Sequence, residues 1–284
     1  MVISFKSIAE GELFIPGNMD LYNAAYANYE TDAYRQVRIE TYGEDFGQTS
    51  WVTTDESREI PKLLGLTSHA VVLEIGCGSG RYALQIAESV GCRIFGVDVN
   101  GSGIDNANQL AKQRSLAGQA SFELCDASKK LPFDDATFDA MFSNDVLCHI
   151  PGRLAVLREI FRVLKPGARI LFSDALIIGG IISHQEIATR SSIGYYNFSP
   201  PGENERLIEQ AGFRLLKSSD TTSHAARIAK RWHDARERRK SELIAAEGSA
   251  NFEGVQQFLS CVHTLTSERR LLRYIYLAQK ADQI

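Results

Sequence analysis

The spacing of apolar residues changes character along the chain. Residues 20–41 mix Tyr, Ala and charged side chains at loosely helical intervals and predict one or two N-terminal helices outside the main core. Residues 42–51, YGEDFGQTSW, read as a loop, and a short helix is expected over about 55–65. Short apolar runs then take over. Val71-Val72-Leu73-Glu74-Ile75 ends in glycines, as a buried parallel strand does. A helix over 80–90, a strand over 93–97 closing at Asp98, a helix over 102–116 and strands over 120–124 and 138–143 follow. Over 152–165, Leu154, Leu157, Ile160, Phe161 and Leu164 recur at helical spacing. Lys165-Pro166-Gly167 stops that helix, and a fifth strand covers 169–173.

This alternation predicts an α/β fold: a Rossmann-like, seven-stranded, mostly parallel sheet with helices on both faces. The rhythm loosens after Asp174. Residues 175–200 read as a helical insertion, and a helix over 202–212 and a strand over 214–218 resume the sheet. A long helical stretch over 224–268 precedes a last strand over 271–278. Pairing of the two strands that flank this stretch would hang it off the sheet as a cap.

Composition narrows the function classes. Net charge is −4 and the pI is near 5.9, which argues against a nucleic-acid partner. The basic run Lys230, Arg231, Arg236, Arg238, Arg239 and Lys240 is interleaved with Asp234 and Glu237 and reads as a solvated helix face; a funnel for anionic substrates is the sharper alternative. The five cysteines form no C-x-x-C pair, so reduced thiols in a cytoplasmic compartment are expected, with no disulfide framework and no zinc site. The opening MVISFKSIAEGELF lacks the pattern of a signal peptide, and the longest apolar run, residues 175–182, is far too short for a membrane span.

The candidate chemistry begins at Gly76-Cys77-Gly78-Ser79-Gly80, between a strand and a helix. Glycines there permit a tight turn and close approach of backbone N–H groups to a ligand, and the following helix adds its N-terminal donors. Asp98 ends the next strand, where a carboxylate can accept from both hydroxyls of a ribose; its alternative role is a helix N-cap. A dinucleotide turn, G-x-G-x-x-G, requires glycine at position 81, which is Arg81. The G-x-G-x-G pattern, preceded by Glu74, suits a ligand with a ribose and an amino-acid tail.

LEIGCGSG, GVDVN, LCDASKKLPFDDATFDAMFSNDVLCHI and RVLKPGARILFSD, in this order, resemble the motif series of class I S-adenosylmethionine-dependent methyltransferases. Within that class the chain is similar to the small-molecule branch that includes sarcosine/dimethylglycine, phosphoethanolamine, tocopherol and sugar O-methyltransferases. The likeness is close over about 42–175 and looser beyond. It implies S-adenosylmethionine as cofactor and S-adenosylhomocysteine as product. The backbone at Gly76, Gly78 and Gly80 would hold the methionine part, with Glu74 and Cys77 counted among the cofactor-binding residues, Asp98 would take the ribose and Val99 the adenine. Asp126 would accept from the adenine amino group with Ala127 beside it, although CDASKK is also an ordinary turn sequence. Asn144 would line the methionine side, and the loop from Phe46 to Trp51 would close over the cofactor through Gln48, Thr49 and Ser50. Cys77 is expected to be a small loop filler.

The resulting organisation is N-terminal helices and a cofactor-covering loop (1–66), a core (67–174), a cap insertion (175–201), core again (202–220), a helical cap (221–269) and the last core strand (270–284). Ligands of open parallel sheets sit beyond the carboxyl ends of the strands, where strand order reverses, so residues 144–149 are expected to face the transferred methyl. Methyl transfer needs a positioned nucleophile and removal of its proton. His149 is the candidate general base. Asp145, four residues earlier, would orient it or bind a cationic acceptor. The pair matches an Asp and His of the phosphoethanolamine branch, where the His works with a tyrosine; Tyr26, Tyr29 and Tyr42 are the candidates, with Tyr29 carried forward as catalytic. The alternative is structural: His149 bonds a loop and Asp145 caps the next helix. Tyr195, Tyr196 and Phe198 would line an acceptor pocket or pack the cap, and Trp232 would close the pocket or form a homodimer interface. His69, His184, His224, His233 and His263 lack metal-ligand spacing, and no metal is expected.

The expectation is therefore a methyltransferase acting on an O, N or C atom of a small molecule, without nucleic-acid or membrane partners. The acceptor classes considered are an amine or phosphobase, a sugar hydroxyl, or a secondary-metabolite ring. The alternatives are a catalytically silent S-adenosylmethionine-binding regulatory or scaffold protein and a nucleotide-dependent oxidoreductase.

Overall fold

The computed structural model describes residues 21–47 and 49–281. Helices α1 (Leu21–Ala27), α2 (Asp32–Tyr42) and α3 (Thr54–Leu64) precede the sheet. A capping box starts α3: the Thr53 side chain accepts from Glu56 N and the Glu56 side chain from Thr53 N. The alternating part runs β1 (Val71–Ile75), α4 (Arg81–Val90), β2 (Arg93–Asp98), α5 (Gly101–Gln113), β3 (Ala120–Leu124), β4 (Phe138–Ser143), α6 (Arg153–Val163) and β5 (Leu164–Ile178). Then come α7 (His184–Arg190), α8 (Glu203–Gln210), β6 (Phe213–Asp220), α9 (Thr222–Arg238), α10 (Lys240–Glu247), α11 (Ser249–Ser267) and β7 (Leu271–Lys280).

The sheet has the order β3-β2-β1-β4-β5-β7-β6. β1 to β5 pair in parallel, and β7 is antiparallel to β5 and β6. Every residue of β1 is buried, because helices cover both faces of the central strands. On one face Leu73, Met141 and Phe172 pack against Leu157 and Ile160 of α6 and Ile208 of α8. On the other, Val72, Phe142 and Leu171 pack with Ile60 of α3, Leu84 of α4 and Ala107 of α5. A third cluster joins the N-terminal helices to the cap through Leu21, Val37, Trp51, Trp232 and Phe258. No helix among the described residues is long and apolar enough to cross a membrane.

Three expectations change. β5 runs well past 173, to Ile178, because β7 lies against it and continues the ladder through a register shift between Asp174 and Ile177. The segment after it is mostly not helical. Only α7 forms, and the chain then returns along β5, with Ile178 N donating to Ser199 O and Ser199 N to Leu176 O. The basic run of α9 is only partly a solvated face. Arg236 is buried in an ion pair with Glu247 of α10, and Arg238 and Arg239 reach Glu40 on α2, so these charges clamp the cap to the N-terminal helices.

The chain builds β1, β2 and β3 outward in one direction and then returns to place β4 on the other side of β1. The crevice at the carboxyl ends of β1 and β4 is therefore the switch point of this sheet.

Candidate active site

The turn from β1 to α4 is left-handed at alternate residues, with φ of +77° at Gly76, +50° at Gly78 and +72° at Gly80. Space makes the same demand. A Cβ at Gly76 would stand 2.2 Å from Val146, and one at Gly78 2.2 Å from the Tyr26 hydroxyl. Asp98 holds this turn from β2: Oδ2 accepts from Gly78 N at 2.8 Å and Oδ1 from Asn100 N at 2.9 Å. Burial pushes its carboxyl up, against the pull of these N–H groups. The N-cap of α5 is Asn100, whose Oδ1 accepts from Gly103 N, so Asp98 is not the cap.

A cavity of about 380 Å³ fills the switch point. Gly76, Gly78, Asp98, Val99 and Asn144 form its sheet side, and Tyr22, Tyr26, Thr49, Ser50, Ile193 and Tyr195 close over it. The donor set fits an adenosyl amino acid. Val99, 69% exposed, offers an apolar surface for a base, and Asp98 has lone pairs left for a ribose. Arg81 lines the same cavity, with its terminal nitrogens 3.4 Å from Glu30 and 3.6 Å from Asp45, so its charge is already met by two carboxylates.

His149 ends a short 3₁₀ turn, Leu147–His149, at the edge of this cavity. Nδ1 lies 3.2 Å from the Tyr195 carbonyl oxygen and Nε2 3.2 Å from the Tyr22 hydroxyl. A carbonyl can only accept, so the network assigns the proton to Nδ1 and leaves the Nε2 lone pair facing Tyr22. Burial, followed by the nearby Arg190 guanidinium, lowers the His149 pKa to about 4, so the imidazole is neutral at physiological pH. Burial pushes the Tyr22 phenol well up.

A family model described as a methyltransferase domain matches residues 66–195. An O-methyltransferase of Aspergillus sclerotiorum is 31% identical over 185 residues, which cover 64% of this chain and 70% of that protein. The phosphoethanolamine N-methyltransferase of Triticum aestivum is 29% identical over 216 residues, 75% of this chain but only 41% of the wheat protein. In fold, the chain is similar to a phosphoethanolamine N-methyltransferase of Haemonchus contortus solved with phosphomonomethylethanolamine and S-adenosylhomocysteine: TM-score 0.76 at 20% identity, covering 92% of this chain and 60% of that one. The chain belongs to the S-adenosylmethionine-dependent methyltransferases of small molecules.

Within this methyltransferase, several expected site residues stand elsewhere. Glu74 lies buried in β1 and does not line the cofactor cavity; burial and then Asp98 push its carboxyl well up, and its Oε2 has no partner. Cys77 does line the cavity, but burial raises its thiol, which suits a filler. Asp126 is exposed, its carboxylate accepts from Ser128 N in its own turn, and Ala127 is buried; neither lines the cavity. Thr49 and Ser50 sit in the covering loop, bonded to Tyr26 and Tyr82 at 3.2 and 3.3 Å, while Gln48 lies outside the described residues. Tyr29 packs between the Arg38 and Arg81 guanidiniums, 4.1 and 4.9 Å from its ring centre, and does not line the cavity. The tyrosine facing His149 is Tyr22.

Asp145 does not touch His149. A 3₁₀ turn separates them instead of an α-helical one, so the i to i+4 alignment is lost. Its carboxylate instead accepts from Arg273 Nε and Trp51 N, both at 2.9 Å, and its own N–H donates to Ser173 Oγ. Asp145 thereby anchors the covering loop to β7. Nor is it the cap of α6, which follows Gly152.

A closed space of about 10 Å³, room for a single water, adjoins the cofactor cavity and shares Tyr22, Thr49, Ser50, Asp145, His149 and Ile193 with it. Tyr196, Trp232, Phe258 and Arg190 complete its wall. The Tyr196 ring is 4.3 Å from the His149 ring, centre to centre, and Trp232 backs Trp51 at 5.9 Å. Arg190 is 1% exposed, yet its Nε and Nη1 have no hydrogen-bond partner. Among the described residues no carboxylate pairs with it; it sits 4.4 Å from the Tyr196 ring centre and 5.0 Å from that of Phe258. Burial is the largest influence and works against its charge, but Tyr196, Cys148 and Tyr22 together outweigh it and the guanidinium stays cationic. Sequence reasoning passed over Arg190. Its only signal is an arginine at the end of a short helix, just ahead of the aromatic run 195–198.

Proposed function

We propose that this methyltransferase acts on a hydroxyl or amine of a small acceptor that also carries an anionic group, with Nε2 of His149 receiving the proton the acceptor releases. The observation that carries this reading is Arg190. A guanidinium fully out of water with two free nitrogens is costly unless an anion meets it, and the space it faces adjoins the cofactor cavity.

Bound S-adenosylmethionine supplies the electrophilic methyl. The protein supplies position and proton management. The space in front of Arg190 is about 10 Å³, room for a single water, so it has to widen as the acceptor enters; the anionic end would then meet Arg190, with Tyr196 and Trp232 flanking the acceptor's body. Tyr22, backed by His149, meets the nucleophile at the side shared with the cofactor cavity. The Tyr195 carbonyl fixes the imidazole with its Nε2 lone pair on the Tyr22 hydroxyl, so the acceptor's proton passes to Nε2 by way of that hydroxyl, which takes the acceptor's proton as it gives up its own. Arg190 is also one cause of the depressed His149 pKa, so an anion on Arg190 raises the basicity of Nε2 as the acceptor arrives. Relatives named for phosphoethanolamine, or solved with a phosphobase, support an acceptor of this charge.

The test is turnover of labelled S-adenosylmethionine on matched acceptors, phosphoethanolamine against ethanolamine and hydroxybenzoate against hydroxybenzamide. The anionic member of a productive pair should be preferred by about a hundredfold, with Arg190→Met erasing the preference. Equal rates, or preference for the neutral members, would refute the reading.

A further inference from the structure

Asp145 stands in the left-handed region, with φ of +58°, in the wall of the cofactor cavity. Such a backbone is strained for a residue with a Cβ, although aspartate tolerates it better than most, and it persists only where the surroundings hold it. The strained residue directs the cofactor side of the site. Asn144 before it and Val146 after it both line the cavity. Val146 packs so closely on the glycine turn that a Cβ at Gly76 would meet it at 2.2 Å. The 3₁₀ turn that ends in His149 springs from the same residues: Cys148 Sγ donates to Asp145 O, and His149 N to Val146 O.

Asp145 is held from β5, the covering loop and β7. Its N–H donates to Ser173 Oγ, and its carboxylate accepts from Trp51 N and from Arg273 Nε, each at 2.9 Å. Arg273 occupies a special place on β7. Between the pairs Asp174 with Tyr274 and Ile177 with Leu272, β5 has two residues, Ala175 and Leu176, opposite the single Arg273. Such a bulge bends its strand and is frequent beside active sites. Arg273 N donates to Thr222 Oγ1, and Arg273 Nη1 donates to Glu56 Oε1 on α3 and to Thr221 Oγ1 just before α9. The guanidinium, 0% exposed, is therefore placed by β7, α3 and the start of α9 as it reaches Asp145. It does not line the cofactor cavity.

We propose that Arg273 is a positioning residue for methyl transfer. It keeps Asp145 in the left-handed conformation, and so sets Val146 against the glycine turn, the covering loop over the cofactor and the turn that carries His149. Without Arg273 the Asp145 carboxylate loses its ion pair. The backbone at 145 then relaxes toward ordinary φ, Val146 leaves Gly76 and the Trp51 amide is released. Cofactor binding weakens although no group that touches the cofactor has been removed. This inference concerns the cofactor and is independent of the charge of the acceptor.

The test uses the full chain without acceptor, with adenosylhomocysteine as the probe. Arg273→Lys keeps a cation but lacks the fork that serves Asp145 and Glu56 together. By calorimetry its affinity for adenosylhomocysteine should fall about tenfold. Hydrogen exchange should show the Trp51 amide opening about tenfold more often, while the Leu73 amide in β1 keeps its protection. Arg273→Met should show the same pattern more strongly; should it fold poorly, the lysine variant decides. Asp145→Gly and Asp145→Ala both lack the carboxylate and differ in the backbone they accept, since glycine takes positive φ freely. The glycine variant should bind adenosylhomocysteine about fivefold or more tighter than the alanine variant. Unchanged affinity and Trp51 exchange in Arg273→Lys, or equal loss of protection at Trp51 and Leu73, would overturn the positioning role. Equal affinity of the glycine and alanine variants would overturn its route through the left-handed backbone.

Discussion

The Tyr22 hydroxyl lies 3.2 Å from Nε2 of His149, across 127 residues of chain. The distance is set from both sides. Asn106 Nδ2 on α5 donates to the Tyr26 carbonyl and ties α1 to the core, while the Tyr195 carbonyl turns the imidazole. The basic atom of the site is thus presented by an N-terminal helix and an insertion acting on one residue of the core.

Replacing His149 by Ala should lower turnover about a hundredfold and leave adenosylhomocysteine affinity nearly unchanged, since the imidazole acts on the acceptor's proton. Tyr22→Phe should cost about tenfold, a smaller loss than that of the base. Steady-state kinetics beside calorimetry separate these cases; near-normal turnover in His149→Ala would assign the residue to loop structure.

The pH profile has a defined sign. A general base works only when unprotonated, and His149 sits near 4 in the free protein, below the usual ~6.5. The acid limb of kcat/KM, which reads the free enzyme, should therefore fall near pH 4. In Arg190→Met one cause of the depression is gone and the limb should move upward. A wild-type limb near ~6.5 would contradict the burial of this imidazole.

Arg190→Met should raise KM for an anionic acceptor about a hundredfold. The melting temperature should hold or rise, because a buried charge without a counterion gives way to an apolar chain of similar length. Thermal unfolding with and without acceptor checks both; a marked drop without acceptor would mean that the packing on Tyr196 and Phe258 dominates.

Gly78→Ala should weaken adenosylhomocysteine binding by about tenfold or more, because φ is +50° and the new methyl meets Tyr26. Combining it with Tyr26→Ala removes the clash but not the backbone strain, so recovery should be partial. Full recovery in the double variant would make the clash the whole effect.

Asp174→Ala should destabilise the fold by about 3–5 kcal/mol in urea unfolding, because Arg153, fully buried, loses its carboxylate. Asn204, which shares this cluster, cannot replace a charge. A loss under ~1 kcal/mol would indicate that water reaches Arg153.

Much of this was legible in the residues. Short, mostly apolar runs located β1 to β4 to within a residue; β1, buried along its whole length, is apolar but for Glu74. The G-x-G-x-G turn and Asp98 pointed to the cofactor because both act through backbone geometry that local sequence specifies. The end of β5 was not legible: it is set by β7, about a hundred residues on, and no local signal carries that pairing. The residues around Asp145 suggested a helical turn, and the tighter 3₁₀ turn sent its carboxylate to Arg273 instead.

The sequence by itself determined the layered α/β fold, the cofactor turn and the placing of His149 beside it, because periodicity and glycine positions restrict the backbone within a few residues. Only the tertiary structure decided that Tyr22 and not Tyr29 meets His149, that Asp145 serves Arg273 and the covering loop, and that Arg190 is buried with no counterion. Those outcomes depend on where segments more than forty residues apart come to rest, and the packing of side chains across such separations leaves no period in the chain to read.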